Sequence, residues 1–331
     1  MAGGGGTPGT MRAVQYGGYG GGAAGLQFVE IPVPSLKKDS VLIKVEAASI
    51  NQADWRIQKG MMRPFLPKFP CIPVTDVSGE IAEVGSAVRE FKVGDKVVAK
   101  LDFWRAGGLA EYVAASESIT VARADGISAA DAAGLPTAGL TALQALRAIG
   151  TKFDGSASGA DVLITAATSG VGTFAVQLAK LGNHRVTATC GARNLDLIGD
   201  LGADEVLDYQ TPEGATLASS SGKKYDYIVN ITDNGKWSAF KPRLSDRGRV
   251  VDVAPNLGNF AASVRTLFSW RKKLSLVIMT LGKKDMTFLV ELMRDGKLKT
   301  VVDSRHPFEK AADAWAKSMS GHAAGKVIVE M

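Results

Sequence analysis

The stretch "DVLITAATSGVGTFAVQLAKLG", residues 161–182, constrains the fold more than any other part of the chain. A short apolar run leads into a turn of small residues, and apolar residues at helical spacing follow. That order predicts a buried strand, a tight turn and a helix over 171–181 that ends at Gly182. The alternation then continues. "HRVTATC" precedes "NLDLIGDLGA", "EVLDY" precedes a polar segment, and "YDYIVNIT", "GRVVDVA" and "KLSLVIMT" follow as apolar runs. Strands that alternate with helices imply a parallel, doubly wound α/β sheet with helices on both faces.

A helix that starts just beyond such a strand offers unpaired backbone N–H groups to a phosphate, provided no bulky side chain intervenes. Gly170 and Gly172 permit the approach, and Ser169 adds a hydroxyl. The usual G-x-G-x-x-G is missing, because Ala166, Thr168 and Ser169 stand where glycines would be expected. Ala166 is tolerable there if its backbone stays out of the left-handed region. Val171, Ala175, Leu178 and Ala179 are expected to face the sheet. Small-residue turns of this kind also serve as plain packing solutions, so the motif alone leaves both readings open.

The end of the next strand, "TCGARN", has no acid to hold ribose hydroxyls and carries Arg193 instead. A carboxylate would repel a 2′-phosphate, whereas a guanidinium pairs with it, so NADP(H) is expected over NAD(H). The alternative is an ordinary solvated arginine in a loop.

Before residue 130 the texture differs. "MRAVQY", "LQFVEIPVP", "SVLIKVEAAS" and two strand-like runs in "GEIAEVGSAVREFKVGDKVVAK" are separated by Gly and Pro turns, which predicts a mostly β, barrel-like domain. Helices are expected over about 129–150, near 285–295 and near 308–319, with "GKVIVEM" as a closing strand. The 331 residues suffice for two domains, and no apolar run approaches the roughly 18 residues of a spanning helix. Cys71 and Cys190 are the only cysteines, too few for a tetrathiolate zinc site, and they fit a reducing compartment. Lys and Arg exceed Asp and Glu, giving a net charge of +6. The densest basic region, "RTLFSWRKKLSLVIMTLGKK", interleaves cations with apolar residues. Peripheral contact with an anionic membrane is one reading of it, and a basic surface with no polyanion partner is the other. Nucleic acid is not expected, since basic–aromatic interleaving of the single-strand-binding kind is missing.

"AASINQADWRIQKG", "IPVTDVSGEIAEVGSAVREFKVGDKV", "GGLAEY", "LPTAGLTALQAL", "ITAATSGVGTFAVQLAK" and "LGADEVLDY" occur in an order and spacing that resembles the medium-chain dehydrogenase/reductase superfamily. The likeness runs from Met11 to Met331 and is to its zinc-independent quinone oxidoreductase branch, the plant chloroplast members in particular. It implies a flexible N-terminus (1–10), a GroES-like β-barrel catalytic domain (11–134 and 286–331) and a Rossmann NADP-binding domain (135–285), with the active cleft between them. It also implies NADPH as cofactor, a homodimer, and a peripheral place at the chloroplast envelope, the cytosol being the alternative.

Where the zinc alcohol dehydrogenases of this superfamily have a ligand cysteine, this chain has Asn51, followed by Gln52, Ala53 and Asp54. Where they have a His-Glu pair it has Thr75 and Asp76, so no metal site is expected. Without a Lewis acid an alcohol is a poor hydride donor, and an activated C=C or a quinone is the better partner as acceptor. By position the resemblance assigns Asn51, Thr141, Thr168, Ser169, Gly170, Val171, Cys190, Gly191, Arg193, Tyr209, Val253, Ala254, Gly325 and Lys326 to the cofactor. Tyr209 as a strand-end aromatic and Thr141 as a helix hydroxyl are the plain alternatives. Asp54, Trp55, Phe103, Trp104, Phe268 and Trp270 are assigned to the substrate, although such aromatics could equally be packing. Asn51 is the candidate catalytic residue, an amide that donates to a developing oxyanion without titrating. No tyrosine has a lysine four residues later, so the Tyr-x-x-x-Lys reductase chemistry is not available. The activity implied is NADPH-dependent reduction of α,β-unsaturated carbonyls, with quinone reduction or a non-catalytic, cofactor-binding structural role as alternatives.

Overall fold

The computed structural model describes residues 7–65, 67–156 and 159–331, so most of the expected flexible N-terminus lies outside the described residues. The chain forms two compact units, Met1–Thr137 with Leu281–Met331, and Ala138–Thr280.

The first unit is built on strands β1 (Thr10–Gln15), β2 (Gln27–Pro32), β3 (Ser40–Ile50), β4 (Asp76–Val84), β5 (Lys96–Lys100), β6 (Tyr112–Ser116) and β7 (Thr120–Ala122). Helices α1 (Gln52–Gln58), α2 (Ala129–Gly134) and the start of α3 (Pro136–Ala148) belong to the same stretch. After the second unit the chain returns with α9 (Lys283–Arg294), β14 (Val302–Pro307), α10 (Ala311–Met319) and β15 (Lys326–Glu330). β1 and β2 form an antiparallel ribbon, and the main sheet has the order β14-β15-β3-β4-β5-β7, with β6 also on β3. Ile43, Val45, Val77, Ile81, Val97, Phe308 and Trp315 are fully or almost fully buried in its core. The pairing register carries the functional consequence. Ile50 faces Val327, Ser49 faces Asp76, and Asp76 faces Lys100. Residues far apart in sequence therefore meet at one end of β15, β3, β4 and β5.

The second unit holds β8 (Asp161–Ile164), β9 (Arg185–Cys190), β10 (Glu205–Asp208), β11 (Tyr225–Asn230), β12 (Leu244–Asp252) and β13 (Lys273–Leu276). Its helices beyond α3 are α4 (Gly170–Leu181), α5 (Leu195–Asp200), the single turns α6 (Pro212–Ala215) and α7 (Trp237–Phe240), and α8 (Leu257–Thr266). The strand order is β10-β9-β8-β11-β12-β13 and every pair is parallel. The chain thus runs outward from β8 in one direction and then from β11 in the other, leaving a switch point at their carboxyl ends. The run "KLSLVIMT" is a strand only over its first half. Its neighbour β12 ends at Asp252, whose carbonyl accepts the last bond from Val277 N–H, so β12 offers residues 278–280 no strand partner, and Thr280 pairs through its N–H and carbonyl with the Gln144 side chain instead.

Candidate functional site

In the second unit Ser169 caps α4 in an extended conformation (φ −66°, ψ 162°), open to any L-residue, and its Oγ accepts from Gly172 N–H at 3.1 Å. Gly170 and Val171 head the helix, where backbone N–H groups have no acceptor within the helix. Gly172 is held by sterics, since a Cβ there would lie 2.3 Å from the Ala166 carbonyl oxygen. Ala166 departs from expectation. It sits at φ 49°, inside the left-handed region, because the chain must reverse within three residues to bring its carbonyl against the helix start. Two bonds hold it there. Its N–H donates to Thr189 Oγ1 at 3.2 Å, and its carbonyl accepts from Ser169 N–H at 2.9 Å. The buried face of α4 is also broader than the four residues expected, covering every position from Gly172 to Ala179, whereas Val171 is only half-buried.

Next along this edge, Tyr209 N–H donates to the Cys190 carbonyl, and a Cβ on Gly191 would lie 3.5 Å from the Tyr209 hydroxyl. Tyr209 and Arg193 are exposed here, while Cys190 is buried and its thiol is pushed up to about 11 by burial. Thr168, Val253 and Ala254 are half-buried at the ends of β8 and β12, and Thr141 is buried on α3.

A buried polar network that sequence reasoning missed stands behind Val253 and Ala254. Asp252 accepts from Asn230 Nδ2 (2.9 Å), Asn259 Nδ2 (2.7 Å) and Ala254 N–H (3.0 Å), and Asn230 Oδ1 accepts from Thr165 Oγ1 (2.9 Å). Burial still raises the Asp252 carboxyl above the usual carboxylate range. The carboxyl ends of β8, β11 and β12 and the start of α8 are thereby tied together.

The first unit gathers a cluster of ions. Asn51 caps α1, and its backbone N–H donates to Asp54 Oδ2 at 2.7 Å. Its side chain bridges the strands: Nδ2 donates to Asp76 Oδ2 (2.9 Å) and, at 3.4 Å, to the Ser49 carbonyl, while Oδ1 accepts from Lys326 Nζ. Asp76 also accepts from Thr137 N–H and Oγ1, at 3.0 and 2.6 Å. Lys100 Nζ lies 3.9 Å from Asp76, donates to Thr75 Oγ1 and the Leu101 carbonyl, and packs 4.3 Å from the Phe103 ring centre. Burial lowers both lysines and pushes the Asp54 carboxyl up to about 7. Asn51, Asp54, Phe103 and Lys326 are thus brought together, joined by Asp76, Lys100 and Thr137. Gly325 precedes Lys326 at φ 106°. Trp55 is half-buried, with its indole N–H buried and unpartnered among the described residues. Trp104 is exposed, and in the second unit Phe268 and Trp270 are 86% and 95% exposed.

Among the described residues no group of three or more His, Cys, Asp or Glu side chains is placed to hold a metal ion. Residues 37–125 match the alcohol dehydrogenase GroES-like domain, and residues 201–329 match the family model described as zinc-binding dehydrogenase. The chain is 55% identical to the chloroplast envelope quinone oxidoreductase homolog of Arabidopsis thaliana, over 97% of its own length and 98% of the relative's. It belongs to the medium-chain dehydrogenase/reductase superfamily, in the quinone oxidoreductase branch. Within the same superfamily it is 33% identical to the chloroplastic NADPH-dependent alkenal/one oxidoreductase of Arabidopsis thaliana, over 97% of this chain and 80% of that protein. The fold matches the solved quinone oxidoreductase from Coxiella burnetii with a TM-score of 0.87 at 29% identity, over 97% of this chain and 99% of that one. The chain is therefore an oxidoreductase of this superfamily that uses a nicotinamide cofactor.

Proposed function

We propose that this oxidoreductase uses NADPH to reduce the C=C bond of α,β-unsaturated carbonyls, without zinc. The observation that carries the cofactor assignment is the Ser169-capped start of α4, with Gly172 letting the helix start pack against the Ala166 turn and with Arg193 and Tyr209 beyond β9 and β10, where an NAD-preferring site needs an acid. The donor set at the zinc-ligand positions supports a metal-free site. Asn51 and Thr75 are weak neutral donors, and the Asp76 carboxylate already faces the Lys100 ammonium.

When bound, the reduced nicotinamide supplies a hydride to the carbon conjugated with the carbonyl. The protein's part is to steady the negative charge that then gathers on oxygen. Asn51 can donate through the N–H that it now shares with the Ser49 carbonyl, the longer of its two contacts. Trp55 offers a second, unmatched N–H that an acceptor oxygen would satisfy.

Purified protein is to be assayed for NADPH oxidation with enones and alkenals of varied chain length and with quinones side by side. Deuterium carried from labelled NADPH to the β-carbon, with the carbonyl retained, is the expected result. Turnover of quinones alone would replace this reading with quinone reduction, which the names of the nearer plant relatives favour. No turnover with either class would leave a cofactor-binding protein without this activity. Replacing Asn51 by Ala is expected to lower kcat by about a hundredfold or more. Since the nearest of these relatives are named as chloroplastic, we place the enzyme in the chloroplast.

A further inference from the structure

Reducing a conjugated C=C takes two deliveries, a hydride to the β-carbon and a proton to the α-carbon. In the enone reduction proposed above, on which this inference rests, the proton has no assigned source. Asn51 cannot supply it, because an amide donates a hydrogen bond without giving up its proton. The groups packed around Asn51 narrow the choice. Tyr16 is buried with its hydroxyl bonded to the Cys71 thiol, and burial raises both groups, so neither yields a proton near neutrality. Lys100 donates to Thr75 Oγ1 and the Leu101 carbonyl, and Lys326 donates to Asn51 Oδ1. Asp76 is occupied as an acceptor, from Asn51 Nδ2 and from Thr137 N–H and Oγ1.

Asp54 is the exception. It lies in the first turn of α1, buried, with Oδ2 2.7 Å from the Asn51 backbone nitrogen. Its Oδ1 has no hydrogen-bond partner among the described residues. Burial, aided by the nearby Asp76, raises this carboxyl to about 7, so it holds a proton near neutral pH and can also release it. The neutral acid carries one O–H donor, which is unspent here and which an incoming acceptor would satisfy. Placement agrees with the chemistry. The oxygen and the α-carbon of an enone are attached to the same carbon, so the groups that serve them must be near neighbours. Asn51 and Asp54 are bonded to each other across the start of one helix.

We infer that Asp54 is the general acid that protonates the α-carbon of the substrate, while Asn51 holds the carbonyl oxygen. Once the β-carbon has received hydride, the electron pair of the enolate takes the Asp54 proton at the α-carbon. The electrons of the O–H bond stay on the carboxylate. The balance is a saturated carbonyl, NADP+ and an ionised Asp54, which takes a proton from water as product leaves. The ammonium groups of Lys100 and Lys326 favour the carboxylate so formed.

The test compares wild type, Asp54→Asn and Asp54→Glu on an α-methyl enone with NADPH in D2O across a range of pH, with thermal unfolding as the control for folding. An acid must be protonated to act, so wild-type kcat is expected to be level below about 7 and to fall above it. Asp54→Asn is expected to lower kcat by about a hundredfold or more and to abolish that limb, and Asp54→Glu to restore part of the rate with the limb displaced. A fixed acid labels one face of the α-carbon with deuterium, whereas an enolate protonated by water in Asp54→Asn is labelled on both. Quinone oxygens take their protons from water, so quinone turnover should suffer about tenfold less than enone turnover in this variant. Asp54→Asn that keeps the wild-type limb and the one-face label would overturn the inference, leave enone reduction standing and assign the limb to a lysine. Wild type that turns over no enone would overturn both.

Discussion

Two lysines and two aspartates buried in one cluster remain tolerable only while each ion keeps its partners. Lys100 is 1% exposed, and it is the cation nearest Asp76. Lys100→Met would keep the volume and leave a buried carboxylate facing an apolar chain. A loss of about 3–5 kcal/mol in urea unfolding is expected. A loss below about 1 kcal/mol would mean that the Thr137 and Asn51 bonds to Asp76 suffice alone. Asp54 makes a prediction with a defined sign. Burial raises its folded-state value from 3.8 to about 7, so the folded chain prefers the neutral acid. Its stability contribution is full below the unfolded value and is lost as pH rises from about 4 through about 7. Asp54→Asn has no charge to bury and can still accept the Asn51 N–H. The variant should therefore gain on wild type between pH 5 and 8, by up to about 4 kcal/mol at the upper end. Denaturant midpoints measured across that range check it, and parallel curves would refute it.

At the scale of elements, α4 carries its own consequence. Ser169→Ala removes the acceptor of Gly172 N–H and is expected to cost about 1 kcal/mol, whereas Ser169→Gly should cost only a few tenths from the cap. Gly172→Ala is different in kind, because its Cβ would overlap the Ala166 carbonyl, so it should weaken NADPH binding well beyond its effect on helix propensity. Calorimetric titration of the three variants with NADPH separates the two effects. The alternating strands and helices of this unit were legible because apolar period and turn residues are local signals. The left-handed Ala166 was not, since its conformation is imposed by where α4 must start. Nor was the ion cluster of the first unit. Asp76 and Lys100 become neighbours only through the register of β4 and β5, and Asn51 and Lys326 through that of β3 and β15. The thirteen-residue α3 and the twelve-residue α9 lie close to the spans that periodicity suggests, because the apolar stripe of each one is buried. α8 reverses the rule, and an apolar helical period by itself gives no means of telling an inward stripe from an outward one.

Over the whole molecule, a ligand that binds the folded chain and not the unfolded one raises stability by RT ln(1 + [L]/Kd), about 2.7 kcal/mol at a hundredfold excess over Kd. NADPH should therefore raise the unfolding temperature more than NADH at equal concentration. Such a gap has two physical sources. One is a specific pairing of Arg193 with the 2′-phosphate, and the other is the general pull of a chain carrying +6 on the more anionic cofactor. They separate by salt and by mutation. A diffuse field is screened beyond about 8 Å at physiological ionic strength, so it would shrink steeply with added salt and survive Arg193→Ala nearly intact. A charge-assisted contact is short, persists in salt, and vanishes with the guanidinium. The expected pattern is a gap between NADPH and NADH that holds from low to moderate salt in the wild type and closes in Arg193→Ala. Equal gaps in wild type and variant would assign the preference to the net charge of the chain, and would remove Arg193 from the cofactor site.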